Sequence, residues 1–174
     1  MYLDEFFYYK NQFMDDIMHT PEIIGLMTDD PIIIADPTLL IYKQIFPFEY
    51  IPQTIEHGHT YICCEVDVKR VFNSNKLQGI INIWEFTHKD KLRLPQGGVR
   101  TDALAHEIDK KINGSFWYGM GTLELNSVSR FAPINDWQGK MMVYQTKEVN
   151  RLNPTDKQRP INRKTGNVTE ESTV

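Results

Sequence analysis

Residues 1–150 are predicted to form an α+β domain, with an antiparallel sheet of about four strands packed against N-terminal and central helices. A flexible C-terminal arm over 151–174 is predicted to follow. Three observations carry this. Residues 60–69 and 77–88 alternate as strands do, residues 99–113 repeat apolar groups at helical spacing, and the composition changes abruptly after Asn150.

Phe6, Phe7, Met14, Ile17 and Met18, with Phe13 and Lys10 between them, give residues 3–19 the spacing of an amphipathic helix. Thr20-Pro21 breaks it and restarts a short helix over 21–27, because proline is accommodated at the first helical position. In the next stretch Ile32, Ile33 and Ile34 read as a brief strand, and Asp36-Pro37-Thr38 as the opening of a short helix through Tyr42. Phe46-Pro47-Phe48 and Ile51-Pro52 then force an extended, turn-rich path. Residues 1–50 are thus an N-terminal helical extension of the domain.

Ile62, Cys64, Val66 and Val68 alternate with Tyr61, Cys63, Glu65, Asp67 and Lys69, the pattern of a half-buried strand. Past a turn at Asn73-Ser74-Asn75, a second strand places Ile81 and Ile83 on one face and Ile80, Trp84 and Phe86 on the other. Apolar groups on both faces predict a central strand, covered by helices on one side and by another surface on the other. An antiparallel hairpin is the simplest pairing of the two. Residues 89–98 are polar, contain Pro95 and Gly97-Gly98, and read as a projecting loop bearing Lys89, Lys91 and Arg93.

In the following helix Leu104, Ile108 and Ile112 stack one turn apart, with Thr101 and Ala105 beside them. Asp102 suits its positive N-terminal end, Lys110 and Lys111 its negative C-terminal end, and Gly114 supplies the stop. Leu123, Leu125 and Val128 mark a strand over 120–131. Asn135-Asp136 mark a turn over 133–139, and Met142, Tyr144 and Thr146 one face of a closing strand over 140–149. In the arm only Leu152, Ile161, Val168 and Val174 are apolar, too few to offset its ordering entropy.

The hydrophobic fraction of 41% and charged fraction of 24% are those of a soluble globular protein. A net charge of −4 argues against a general nucleic-acid binder. No apolar run approaches the roughly 18 residues a membrane span needs, and Asp4 and Glu5 stand where a secretory leader carries positive charge. Cys63 and Cys64 are neighbours that a strand points to opposite faces, so they are not expected to pair. One buried and one partly exposed thiol in a reducing compartment is the expectation.

Chemistry is sparse. His57-Gly58-His59 lies near the two cysteines, but His19, His88 and His106 stand alone and no second cysteine pair exists to close a four-ligand zinc site. Asp102, Glu107 and Asp109 share a helix at spacings that do not converge, and Glu107 fits better as a partner of Lys110 or Lys111. Gly97-Gly98 lacks the spaced third glycine and the lysine and hydroxyl residue of a phosphate loop, Gly119-Met120-Gly121 reads as an irregular strand entry, and no serine sits in a nucleophile elbow. No catalytic residue, metal or cofactor is expected. Two features favour association. Long strands offer backbone edges to other chains, and the arm places Arg151, Lys157, Arg159, Arg163 and Lys164 before Glu170 and Glu171. With Lys89, Lys91 and Arg93, these cations are the candidate subunit or partner interface.

The order of elements resembles the tail-terminator and tail-completion proteins of tailed bacteriophages and related head–tail neck proteins. An N-terminal helix precedes a hairpin, a long loop leads to the helix at Arg100-Thr101-Asp102-Ala103-Leu104, and two strands follow. Phe48-Glu49-Tyr50-Ile51-Pro52, Ile81-Asn82-Ile83-Trp84 and Asp136-Trp137-Gln138-Gly139 also resemble small phage proteins of Gram-positive hosts. The resemblance implies a virion subunit assembled in the host cytoplasm. It would form a homo-oligomeric, six-fold ring that ends the tail tube and meets the connector, with DNA passing through transiently and no membrane involved. Loop 89–98 would reach the tube or connector. Another neck, connector or sheath-associated subunit, or a small metal-dependent enzyme, are the alternatives.

Overall fold

The computed structural model describes residues 5–52, 59–70, 76–116, 121–146 and 150–151. Helices α1 (Glu5–Met18), α2 (Pro21–Met27) and α3 (Pro31–Ala35) and a 3-10 turn (Pro37–Leu40) lead into the short strand β1 (Ile45–Phe46). Strands β2 (Thr60–Arg70) and β3 (Lys76–His88) precede helix α4 (Arg100–Ile112), and β4 (Leu123–Phe131), β5 (Trp137–Thr146) and β6 (Asn150–Arg151) complete the order. The strands line up as β1-β2-β3-β5-β4, with β6 beside the start of β3. The α+β class and the helices on an antiparallel sheet are as expected. The correction is a mixed edge, because β1 runs parallel to β2 through Ile45–Ile62 and Phe46–Cys63.

One face of the sheet is covered by helices. Phe13 and Ile17 of α1, Ile23 and Ile24 of α2, and Leu104, Ile108 and Ile112 of α4 pack on Ile62, Cys64, Ile81, Ile83, Met142 and Tyr144. Burying the three α4 side chains contributes roughly 1.5–3 kcal/mol each. The helix ends where expected, as Gly114 turns at φ 77 and its N–H donates to the Leu123 carbonyl at 2.8 Å, tying α4 to the start of β4. The N-terminal helices share this core with the sheet.

The inward stripe of α1 is Tyr9, Phe13, Met14 and Ile17, while Phe7, expected among the apolar positions, is exposed. Three consecutive isoleucines favour a strand, yet residues 31–35 form a helix. Asp30 Oδ1 accepts from the Ile32 N–H at 2.9 Å and Pro31 takes the first helical position. Local capping outweighs propensity here.

The other face of β3 is dry over half its length. Tyr61, Cys63, Trp84, Phe86 and Trp137 form a second buried cluster. The chain covers it with its own residues, stacking Tyr50 on Phe46 at 4.1 Å between ring centroids. Both cysteines are therefore buried, on opposite faces of β2, where one had been expected to be partly exposed. Burial pushes the Cys63 thiol up to about 12.

Strand β4 carries a bulge between Leu125 and Ser127. It explains the two-then-three spacing of Leu123, Leu125 and Val128, because the extra residue returns Val128 to the helix face. Gly139 marks a close approach between β5 and β3. A Cβ there would stand 1.9 Å from the Glu85 carbonyl oxygen and 2.5 Å from Phe86 Cβ. Gly139→Ala should lower stability by about 3 kcal/mol or more. Gly25→Ala in α2, where an added Cβ meets nothing within 4 Å, should raise it by up to ~1 kcal/mol. Urea midpoints check both, and an unchanged midpoint for Gly139→Ala would sink the close-approach account.

Candidate interaction surface

The segment between β3 and α4 is pinned along its length. Lys89 Nζ pairs with Asp136 Oδ1 at 2.9 Å, and this hydrogen bond raises the lysine and lowers the carboxyl from their ordinary values. Lys91 Nζ reaches Asp29 Oδ2 at 3.4 Å, and Leu94 is buried. Gly97 and Gly98, at φ 96 and 93, turn the chain so that Arg93 and Val99 pair across a small hairpin. Side chains with a Cβ rarely take such angles.

Arg100 holds this loop to the body. Its side chain is buried, its Nε donates to the Lys91 carbonyl at 2.8 Å, and one guanidinium nitrogen donates to the Leu26 carbonyl. A cation at a helix N-terminus opposes the macrodipole. That misfit in the sequence was the available sign that Arg100 is held by something outside its own helix.

Helix α4 lies over β3 and β5, and an open groove of about 340 Å³ runs between its first turn and β4. Leu92, Val99, Thr101, Val128, Arg130 and Lys140 line it. A second groove of about 430 Å³ continues past Leu92 and Val99 to Lys89, Arg93, Gly97 and Gly98. Arg130 straddles Gln138 Oε1 through Nε at 3.2 Å and Nη2 at 2.8 Å. Lys140 Nζ contacts Asp102 Oδ1 at 2.6 Å. The floor is apolar and the rim cationic, an arrangement suited to a partner with aliphatic side chains and carboxylates.

Glu85 pairs across the sheet with Lys140 and is fully buried. Desolvation raises its carboxyl well above the ordinary range, and the opposing pull of Lys140 is weaker. The acid embedded in Ile83-Trp84-Glu85-Phe86 was visible in the sequence, but nothing there showed it to be inward.

Of the cations expected to form an interface, Lys89 and Arg93 meet at the groove, and Lys91 turns to Asp29 instead. Arg151 belongs to β6, which pairs with Lys76 and Leu77, at the far end of β3 and roughly 40 Å away at strand spacing. Lys157, Arg159, Arg163 and Lys164 lie outside the described residues, as do His57 and residues 152–174. Among the described residues no group of three or more His, Cys, Asp or Glu side chains is placed to hold a metal ion. The helix carboxylates do not converge. Asp102 contacts Lys140, Glu107 pairs with Lys110 at 2.7 Å, and Asp109 accepts from the Tyr144 hydroxyl at 3.0 Å. No described helix is long and apolar enough to cross a membrane.

A family model named YomW matches residues 3–146. The chain belongs to the YomW family. YomW is a phage-associated family, so the phage connection implied by the resemblance holds at that level. The YomW match takes in every segment that frames the groove. No curated protein matches the chain.

Two outcomes are expected. Glu85→Leu should raise stability by about 1–3 kcal/mol at pH 8, since a buried polar group is removed. The native carboxyl titrates above its unfolded value, so the wild type loses stability as pH climbs past the unfolded pKa of about 4.5 toward the raised one. The gain should shrink by pH 4, and a gain equal at both pH values sinks the reading. Arg100→Leu leaves two carbonyls without their donor, at about 1–3 kcal/mol each where water cannot replace it. Trypsin should then cut after Lys89, Lys91 or Arg93 several-fold faster than in the parent.

Proposed function

We propose that this YomW-family chain is a non-enzymatic structural subunit of a tailed phage particle, assembled in the host cytoplasm. Copies of it form a ring at the head–tail neck that ends the tail tube and joins it to the connector. The partners are its own copies and the tube and connector proteins, with DNA passing through the opening.

The observation that carries this reading is the outer edge of β4. This nine-residue strand pairs with β5 on one side and with no other described strand, and most of its side chains are exposed. A backbone row of that length is a template for another chain. The bulge at Leu125/Ser127 and the charged Glu124 and Arg130 discourage indiscriminate pairing, so the edge suits a specific neighbour. Phage association at the family level and the resemblance of the element order to that of terminator proteins support the same reading.

The test is electron microscopy of particles made without this chain. Overlong tails are expected. Tails of normal length that never join heads would instead assign a connector role, and intact infectious particles would remove the chain from the neck altogether.

A further inference from the structure

The molecule is lopsided in charge and in exposed apolar surface. Residues 1–51 hold nine carboxylates against two lysines, and the remaining chain holds fourteen carboxylates against seventeen Lys and Arg. Eight of the twelve large apolar side chains exposed among the described residues also fall within residues 1–51. Tyr42 is 60% exposed and Phe48 42%, and Asp36 and Glu49, both exposed, flank them in the chain. Tyr42 and Phe48 lie 6.4 Å apart between ring centroids, and Phe48 leans on Phe46 of β1. Tyr42 holds φ at 56, a conformation that bulky residues rarely adopt, and its side chain is exposed.

Of the remaining exposed apolar side chains, Val99 and Val128 line the cationic groove. The first patch adjoins β1 and the second adjoins β4, the two ends of the strand order β1-β2-β3-β5-β4. They are separated by the width of the sheet, roughly 19 Å at the usual strand spacing.

We infer that the exposed aromatic pair Tyr42 and Phe48, flanked in sequence by the carboxylates Asp36 and Glu49, docks in the groove of a second copy of this chain, against Val99 and Val128 and beneath Arg93 and Arg130. Apolar side chains meet the apolar floor, and the acidic N-terminal segment meets the cationic rim. The two surfaces differ, so the contact is heterologous. Each copy gives a knob to one neighbour and a groove to the other, which produces a ring when the rotation closes and not a twofold dimer. The inference rests on the self-association proposed above and names the surfaces that make it.

The experiment uses the full chain with single cysteines introduced as Phe48→Cys or Val128→Cys. Both native thiols are buried, so a short bis-maleimide reports on the new ones. The two variants are mixed at high concentration, one labelled with heavy nitrogen, and circular dichroism first establishes that each is folded. Expected is a several-fold excess of Phe48→Cys joined to Val128→Cys over either variant joined to itself. Statistical mixing of the products, or no crosslink, overturns the inference. Rings seen in particles without this crosslink would discard the contact and keep the neck assignment. A selective crosslink from a chain absent from the neck would do the reverse. As a second arm, Tyr42→Lys/Phe48→Asn and Val128→Asp/Arg130→Glu should each abolish wild-type crosslinking by an amine-reactive reagent. Together they should regain a 1:1 pair that grows no further, and failure to regain it counts against the contact.

Discussion

Strand β3 carries Ile81 and Ile83 to one side of the sheet and Trp84 and Phe86 to the other, so water has to be kept from both faces. Helices α1, α2 and α4 cover the first. A second helical layer would need far more chain, and the molecule instead folds Phe46 and Tyr50 over Tyr61, Phe86 and Trp137. That economy positions much of the rest. It fixes β1 beside β2, sends Tyr42 and Phe48 to the surface, and requires β5 to approach β3 so closely that only glycine fits opposite Phe86.

The helical cover is narrower than the sheet. Helix α4 lies over β3 and β5, leaving β4 half clothed, and the groove is the resulting step between helix and strand. Its walls come from residues 92–101, 128–130 and 138–140. What brings them together is the β4–β5 hairpin folding back past the first turn of α4. The buried Glu85 beneath it and the Arg100 anchor above it are polar groups placed at a stability cost or under local constraint, which is common where a surface has work beyond folding.

Elements with a strong period were legible in the sequence. The hairpin pairs in register from Thr60–Thr87 to Arg70–Leu77, and α4 buries the side chains its spacing marked. Failures arose where a short-range effect competed with a pattern. Capping by Asp30 and Pro31 overrode the β-preference of three isoleucines, and the bulge in β4 hid a regular face behind an irregular spacing. The site was legible only in part. Lys89 and Arg93 were marked by charge in a loop, whereas Val99, Val128 and Arg130 are unremarkable residues until topology places them side by side. The covering of the aromatic face was out of reach for the same reason, since Tyr50 and Trp137 are far apart in the chain.

The two bonds of Arg100 also have a mechanical side. One guanidinium joins the last turn of α2 to the loop and to the root of α4, and Asp29–Lys91 bridges the same gap. A tug on the rim of the groove is therefore passed sideways into the helical layer before it strains the β ladder. Peeling the loop away requires several bonds to break together, not one after another, which makes the junction stiff to brief forces even though each bond is individually modest.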